Sequence, residues 1–267
     1  GCQRRLKAFA MDAWTPYPRP GEFAFDAASV KKQWGHLHAG DKEPVPEHPR
    51  VLAAWVHYHN GEYRKAYDAG LKSGVPGQSV ANKAACIYAN YVERSEKARQ
   101  NLYLEVAERA AAQAKMHPEI ASSHYWQAYA LGRYSQSISV AKALAQGIGS
   151  KIKTALETTI QLEPRHAEAL LALGLFHAEV IDKVGVLIGN MTYGVKKETS
   201  LKLFQQVLLL TPKAPNAIME YANALVMLEG DKRAEEATRL YKKAAGIKPM
   251  DAKERLEVDL AQADLAE

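Results

Sequence analysis

Apolar side chains recur every three to four residues along most of this chain, which is the spacing of one face of an α-helix. The spacing is first clear from Ala27 to His38, where Val30, Trp34 and Leu37 fall on one face. Asp26, just before this stretch, is a residue type that caps helix N-termini. Farther along, the same spacing returns in successive pairs of segments joined by short turns. The pattern therefore predicts an all-α protein.

Five helix pairs are predicted, and proline marks the end of most of them. Proline cannot continue the helical hydrogen-bond ladder, so it stops the second helix of a pair. A Leu-Gly dipeptide also stands inside two of the first helices, where glycine would let two helices approach closely. The closing segments are Met116-His117-Pro118, Leu162-Glu163-Pro164, Leu210-Thr211-Pro212 and Ile247-Lys248-Pro249, and the dipeptides are Leu131-Gly132 and Leu173-Gly174.

These features resemble the tetratricopeptide repeat, and the resemblance implies stacked helix pairs. We predict a tetratricopeptide-like α-solenoid of about five helix pairs in residues 49–250. Residues 1–48 are predicted to form an N-terminal Pro-rich strap and a short helix, and residues 251–267 a C-terminal capping helix. Asp251 and Glu254 form the capping box that opens this last helix, which is expected to serve as a polar cap.

The strap is defined by three prolines in the stretch Trp14 to Pro20. Prolines at this density forbid a helix and favour an extended segment. Such a strap packs its aromatic side chains on a neighbouring element, or it covers or fills a groove of the solenoid. Both alternatives stay open from the sequence.

The third and fourth repeats are longer than the family's 34-residue period. Successive closing prolines lie 46 residues apart from Pro118 to Pro164 and 48 residues apart from Pro164 to Pro212. Counted from Gly132 and Gly174, at least 8 and 14 extra residues fall between the two helices of these units. The chain therefore carries an insertion inside each of two neighbouring repeats.

The simplest interpretation of both insertions is that each first helix runs on past the array. In the third unit the apolar stripe continues from Ile138 to Ile152 until glycines interrupt it. In the fourth unit the helix would continue to Ile188 and stop at Gly189-Asn190, with a loop after it. Two elongated helices side by side would form a flange with an apolar tip. The predicted flange residues are Val186, Leu187, Ile188 and Tyr193.

Residues 122–249 also resemble a narrower group, the regulator of microtubule dynamics family and its bacterial relatives. The resemblance is carried by a Ser-rich interrupted unit, by Leu162-Glu163-Pro164-Arg165-His166-Ala167-Glu168-Ala169 and by an insertion ending near Thr192-Tyr193-Gly194. A looser likeness exists to helical-repeat lipoproteins that partner periplasmic transporters. These resemblances imply an adaptor or a ligand-holding scaffold.

Aligning the two Leu-Gly pairs with the family's repeat predicts which side chains face the concave groove. Of these only Arg133 is basic, so we do not expect the groove to clamp a peptide carboxylate, which needs several fixed donors. Apolar and aromatic groove residues suit an amphipathic helix with some basic residues, or an apolar small molecule. The predicted groove residues are Trp126, Tyr129, Arg133, Gln136, Leu171, Leu175 and Glu179.

Composition and charge argue against a nucleic-acid partner and against a transmembrane segment. The net charge of +5 comes from lysines and arginines spread along the chain rather than gathered beside stacking aromatics, so we predict no nucleic-acid partner. No run of about 20 apolar residues exists, and no transmembrane segment is predicted. Cys86 lies within an apolar helix and should be a buried side chain.

Gly1-Cys2 has two interpretations. It is the lipid attachment site of a periplasmic lipoprotein, anchored through Cys2, or it is a truncated or artificial start. No apolar leader is present, so we expect the second and a cytoplasmic protein.

Chemistry-bearing motifs do not stand out. The pairs His36-x-His38 and His57-x-His59 are the closest histidines, but residues two apart on a helix point to opposite sides and cannot share a metal. We find no nucleophile motif and no phosphate-binding loop, because Gly185-x-x-x-Gly189 lacks the lysine that should follow and more often marks close packing. Neither a metal, nor a cofactor, nor an enzymatic activity is predicted.

The sequence therefore favours a non-enzymatic scaffold that binds a protein or peptide through its concave face and the flange of the third and fourth units. A second copy of the chain is one partner that the flange would suit. The alternative is a carrier-like module that holds an apolar small molecule, for instance as the partner of a transporter.

Overall fold

The computed structural model describes residues 14–266, and its described elements are all helical. Consecutive helices pack in pairs, as the spacing of apolar residues predicts, and each pair packs on the next. Asp26 caps the first helix, because its carboxylate accepts a hydrogen bond from the amide of Ser29 at 2.7 Å. The first elements are α1 (Ala27–Leu37), the pair α2 (Pro49–His59) and α3 (Tyr63–Lys72), and the pair α4 (Gln78–Tyr91) and α5 (Glu96–Met116).

The remaining repeats continue this stacking to the end of the chain. The third pair is α6 (Ala121–Ser135) and α8 (Ile148–Leu162), with the short helix α7 (Val140–Ala145) between them. The fourth is α9 (Ala167–Val184) and α11 (Lys197–Leu210), with α10 (Val186–Tyr193) between them. The fifth is α12 (Pro215–Glu229) and α13 (Ala234–Ala245), and α14 (Ala252–Ala266) closes the array.

The expected elongation of the third unit's first helix is wrong. Helix α6 ends at Ser135, and Ser139 then caps α7, accepting a hydrogen bond from the amide of Lys142 at 3.1 Å. Gly147, at a φ of 62°, separates α7 from α8. The apolar stripe is present, but a cap and a left-handed glycine divide it between two helices.

The fourth unit's first helix is long, at 18 residues, but it stops at Gly185 rather than at Gly189-Asn190. Gly189 instead lies inside α10, where an added Cβ would come within 2.8 Å of Val195, so it marks close packing. The loop predicted after Asn190 is therefore wrong, and α10 continues to Tyr193. Both insertions form short separate helices instead of extensions.

Gly185 has a φ of 83° and a ψ of 164°, a backbone region that is almost restricted to glycine. We expect Gly185→Ala to lower the free energy of unfolding by about 1–3 kcal/mol, because alanine is strained there. Urea denaturation measures this. Gly35→Ala is the matched control, since Gly35 lies in helix α1 with nothing within 4 Å of an added Cβ, and alanine should stabilise it by up to about 1 kcal/mol. Equal effects at the two sites would contradict the assignment of strain.

The strap lies on the first two repeats and on the last helix. Trp14 stacks on Tyr88, with ring centroids 4.1 Å apart, and Tyr17 packs its ring against Gly61. Arg19 donates two hydrogen bonds of 3.0 Å to Asp259 of α14. The aromatic side chains therefore pack on neighbouring elements, which is the first of the two alternatives.

The last helix is more deeply packed than a polar cap. Helix α14 contacts α12, α13 and also α2, so the end of the array returns to its first repeat. Leu256 and the carboxylate-bearing Glu257 are buried, whereas Leu260, expected on the same apolar face, is 42% exposed. Helix α14 therefore closes the array with Leu256 on its inner face, as the sequence predicts, and differs from the prediction in exposing Leu260 and burying Glu257.

The core confirms one sequence prediction directly, since Cys86 is fully buried in α4. Burial raises the pKa of its thiol. Cys2 lies outside the described residues. Within residues 14–266, none of the helices combines the length and the apolar character that crossing a bilayer would need.

Candidate functional site

A cavity of about 180 Å³ lies between the third and fourth repeats, under the two inserted helices. Helices α6, α8 and α9 form its walls, α7 and α10 form its rim, and the first turns of α12 reach its edge. Gly132, in the third repeat, lines it, and nothing lies within 4 Å of a Cβ placed there. The close helix approach expected at Gly132 is therefore absent, and the missing side chain leaves open space instead.

The second Leu-Gly pair behaves as predicted. An added Cβ at Gly174 would meet the ring of Phe204 at 3.1 Å and Leu203 at 3.4 Å, so α9 and α11 do approach closely there. The two equivalent glycines thus have different consequences, since one lets helices pack and the other opens the cavity.

The interior of the cavity is mostly apolar. Its side chains come from α8 and α9, whose buried faces meet there, and from the aromatic residues Tyr129 and Tyr193. A cavity with such a lining favours an apolar group over water, because few polar partners are present to hold a water molecule. The principal apolar lining residues are Ile148, Ile152, Leu156, Leu171, Leu175 and Phe176.

Four polar side chains stand together at one side of the cavity. Gln136 donates a hydrogen bond of 2.7 Å to Glu179, and burial raises the pKa of Glu179. The Arg133 guanidinium lies over the ring of Tyr129, 5.4 Å from its centroid, and 3.6 Å from the carboxylate of Glu220. Burial opposes the charge of Arg133, but Tyr129 and Glu220 outweigh it and raise the pKa, so Arg133 is a cation.

The rim exposes a patch of apolar side chains to solvent. On α10, Leu187 is 73% exposed and Met191 is 79% exposed, and Val186 and Ile188 are exposed beside them. On α7, Val140 and Leu144 are exposed as well. We call these six residues the apolar rim; Val140, Leu144 and Ile188 also line the cavity, and Val186, Leu187 and Met191 are exposed on the same short helix as Ile188. Clustered exposed apolar side chains mark binding sites more often than isolated ones do.

Helix α10 packs tightly on the second helix of the neighbouring repeat. Tyr193 of α10 packs directly on Gly149 of α8, where an added Cβ would lie 2.6 Å from the ring. The same ring packs against Phe176, with centroids 5.7 Å apart. The position of α10 over the cavity therefore depends on a glycine in the neighbouring repeat.

Most of the predicted groove residues meet at this cavity, which Tyr129, Arg133, Gln136, Leu171, Leu175 and Glu179 all line. Trp126 does not, since it is only 2% exposed and packs against Tyr125 and Tyr129 in the core. Of the predicted flange residues, Ile188 and Tyr193 line the cavity, while Val186 and Leu187 do not line it and are exposed to solvent on α10.

Sequence analysis missed the contribution of α7 and α8. The apolar stripe from Ile138 to Ile152 predicts an extension of the first helix beyond the array, whereas the break at Gly147 places Val140, Leu144, Ile148 and Ile152 around the cavity. The signal in the sequence was Ser139, a residue type that favours helix N-caps, in the middle of the apolar stripe.

A second cavity of about 540 Å³ adjoins the first and shares Glu168, Leu171 and Asn216 with it. Its charged walls are largely satisfied from within the chain. Lys83 lies 2.5 Å from Asp41, and Lys253 lies 2.8 Å from Glu257. The first cavity, apolar inside and with an exposed apolar rim, is therefore the candidate binding site.

Comparison with known proteins supports the fold. No protein-family model and no curated protein matches the chain. Among solved structures, the chain is similar to a thermophilic TPR protein from Thermus thermophilus, with a TM-score of 0.55 at 17% sequence identity. The match covers 80% of this chain and 97% of that one. The fold is thus a tetratricopeptide-like α-solenoid.

Proposed function

We propose that this α-solenoid is a non-enzymatic scaffold that binds a protein partner by enclosing an apolar anchor side chain in the cavity between its third and fourth repeats. The apolar rim would surround the anchor and be covered by the rest of the partner segment. The observation that carries the proposal is the continuity of an apolar cavity with an exposed apolar patch, on helices that interrupt the repeat. Protein interfaces concentrate their binding energy in such anchors.

The size of the cavity fits a single anchor. An engineered apolar cavity of about 150 Å³ in another protein holds one benzene molecule, so about 180 Å³ holds one leucine, phenylalanine or methionine side chain. Burying such a side chain contributes about 1.5–3 kcal/mol, and the rim would add further apolar contact. An amphipathic helix can present one apolar side chain to the cavity and the apolar side chains three and four residues away to the apolar rim.

Charge at the edge of the cavity refines the partner. Glu220 is partly neutralised by Arg133 at 3.6 Å, whereas Glu179 accepts an amide hydrogen bond from Gln136 and is influenced by Lys183 and Arg133 without an ion pair to either of them. A basic residue next to the apolar anchor would neutralise Glu179 on binding. The partner segment that fits best is therefore an amphipathic helix with an apolar anchor and a neighbouring lysine or arginine.

A second candidate function has one observation in its favour. The cavity is complete within a single chain, so a small apolar molecule could be held there without a partner protein. This is the carrier-like alternative. The same variants separate it from the first proposal.

Gly132→Leu is the sharpest test, because the leucine side chain would enter the cavity from a helical position with free space around it. Peptides selected from a displayed library of amphipathic helices on the wild-type protein should bind Gly132→Leu at least about tenfold more weakly, a loss of roughly 1.4 kcal/mol. Fluorescence anisotropy measures the Kd. Stability should be unchanged or slightly higher, since leucine favours a helix more than glycine does.

The control is Gly35→Leu, an equivalent change on the exposed face of α1. Leu187→Ser should also weaken peptide binding without loss of stability, whereas Leu209→Ser, at an 83% exposed site outside the apolar rim, should not. Equal peptide affinity for the wild type and Gly132→Leu would rule out the anchor. If instead indole or toluene bound the wild type alone and no peptide did, the carrier function would replace the scaffold. Sedimentation velocity on the same variants shows whether a second copy covers the rim.

A further inference from the structure

Four buried side chains from distant parts of the sequence form a continuous hydrogen-bonded chain. Asp41 accepts at 3.0 Å from Nδ1 of His38, and Asp251 accepts at 2.7 Å from Nδ1 of His59. The Nε2 atoms of the two histidines face each other at 3.2 Å. His38 directly follows α1, His59 is the last residue of α2, and Asp251 directly precedes α14. The chain therefore joins the first repeat to the last helix.

The geometry fixes the number of protons. Each Nδ1 faces a carboxylate, so each Nδ1 carries hydrogen and donates it. If both rings were neutral, each Nε2 would present only a lone pair, and the two lone pairs would oppose each other at 3.2 Å. A hydrogen bond between the rings needs one further proton. One shared proton would satisfy both Nε2 atoms and would give the two histidines, which we call the histidine pair, a charge of +1.

The surrounding charges agree with this count. Asp41 and Asp251 supply two negative charges, and Lys83 of α4, 2.5 Å from Asp41, supplies one positive charge. Together with the shared proton these groups sum to zero, and Glu168, 3.6 Å from Lys83, is offset by Lys253 at 3.7 Å from it. Aromatic rings wall it, since Trp34 stacks on His38 at 4.0 Å and Phe25 lies 5.9 Å from His59.

A second proton would break the neutrality. Both Nε2 atoms would then carry hydrogen, and two imidazolium cations would face each other at 3.2 Å in a buried site. Coulomb repulsion is strong at that separation and little screened away from water. One of two contacts would then give way. The first joins His59, at the end of α2, to Asp251, just before α14, and the second joins the two rings.

We propose that the histidine pair is a single-proton binding site that holds α14 against the first repeat, and that uptake of a second proton in mildly acidic solution releases this helix. The released helix forms a wall of the larger cavity through Asp251, Lys253 and Glu257, so its departure would open that cavity. The device does not depend on the proposed binding of a partner at the other cavity.

The direction of the pH dependence follows from linkage. Burial lowers the pKa of His59, with Asp251 opposing and His38 and Lys83 adding to the shift. The unfolded chain, with a histidine pKa near 6.5, therefore binds more protons than the folded chain as the pH falls below about 6.5. The stability that α14 gains from the pair is therefore greatest near pH 6.5 and is lost as the pH decreases below that value. It also declines at higher pH, where the unfolded chain has given up its histidine protons while the folded pair still binds one.

Other groups facing the site limit which measurement is diagnostic. Glu43, next to Asp41, has a pKa raised to about 8 by burial, and Glu254 of α14 has a pKa raised to about 7 by burial. Raised carboxyl pKa values favour the folded state at lower pH, the opposite slope. Glu168 of α9 lies 3.6 Å from Lys83 and is a further anion nearby. Local opening of α14, rather than total stability, is therefore the quantity to measure.

Hydrogen exchange tests the release. After correction for intrinsic rates, we expect the opening of α14 to increase at least about tenfold from about pH 6.5, where the pair stabilises most, to about pH 4.5, while α5 changes by less than about threefold. In His38→Gln a neutral amide replaces the ring that shares the proton, and the pH dependence of α14 should fall below about threefold. His36→Gln, an exposed histidine on the same helix, should behave as the wild type. Equal protection of α14 at both pH values in the wild type would overturn the proposal, and so would an unchanged dependence in His38→Gln.

Imidazole ¹⁵N chemical shifts of the wild-type protein test the proton count without any substitution. At pH 7 the pair should show both Nδ1 atoms protonated and one proton exchanging between the two Nε2 atoms. Two neutral rings with unprotonated Nε2 atoms at that pH would refute the single-proton site, even if a variant failed to fold.

Discussion

Lys83→Met is expected to lower the free energy of unfolding by about 3–5 kcal/mol, because it would leave the carboxylate of Asp41 buried without its ammonium partner. The Lys83 and Asp41 side chains are 4% and 5% exposed, and their charged atoms lie 2.5 Å apart. Burial raises the pKa of Asp41, but Lys83 and His38 outweigh burial and hold that pKa well below its usual range. Methionine has nearly the length of lysine and fills its volume, so the loss would be electrostatic rather than steric.

Urea denaturation at neutral pH measures this loss. Lys72→Met, at an exposed position near the end of α3, is the control and should change stability by less than about 0.5 kcal/mol. The double variant Lys83→Met with Asp41→Asn should recover part of the loss, because neither charge then remains buried. A Lys83→Met protein within about 1 kcal/mol of the wild type would show that the ion pair is not needed to hold α4 and the segment after α1 together.

Trp55→Ala should cost a similar amount, about 3–5 kcal/mol, through the cavity that it leaves. Trp55 is 1% exposed in α2 and meets Trp34 edge to face at 5.8 Å and His38 at 4.6 Å. Removing the indole would leave a cavity where α1 packs against the first repeat. It would also admit water to the histidine pair, which lies against the same ring.

Trp55→Phe separates these contributions. Phenylalanine retains a ring beside Trp34, so the loss in urea denaturation should be less than half of that in Trp55→Ala. A loss of equal size in the two variants would mean that the indole makes a specific contact that no aromatic ring can replace. Near-ultraviolet circular dichroism should report the altered packing in both proteins.

The repeat architecture was predictable because it is local. Proline at Pro118, Pro164 and Pro212 stops a helix through its own missing N–H, and helical spacing needs only neighbouring residues. The apolar spacing predicts helices from Val51 to Asn60 and from Tyr63 to Lys72, and α2 and α3 agree with these bounds to within two residues. The insertions were located by the same local counting, but their shape was not, because a cap at Ser139 and positive φ angles at Gly147 and Gly185 override an uninterrupted apolar stripe.

The candidate site was predictable in part. Alignment on Gly132 placed Tyr129, Arg133 and Gln136 on one face, and all three line the cavity. The prediction that Trp126 faces the groove is wrong, because near the start of α6 this side chain packs into the core, where Tyr125 is also buried. The role of Gly132 could not be predicted from the sequence. A missing Cβ lets two helices touch when the next helix is near and leaves an open space when it is farther away, and the sequence does not give that distance.

The histidine pair lay beyond sequence analysis for a different reason. His38 and His59 each belong to a short His-x-His motif, and within a motif the two rings diverge. The contact joins one member of each motif, and Asp251 comes from 192 residues beyond His59. No periodicity connects such positions, because their proximity depends on the curvature of the whole solenoid.

The return of the last helix to the first repeat also fixes the number of repeats. In an open solenoid each unit touches only its neighbours, so units can be added or lost at the ends with local consequences. Here Arg19 meets Asp259 across 240 residues of sequence, and His59 meets Asp251. Deleting or duplicating one helix pair would carry Asp251 away from His59 and leave both buried groups unpaired. The closure also gives the chain contacts of high sequence separation, which slow folding, and these contacts cannot form until synthesis has passed Asp259.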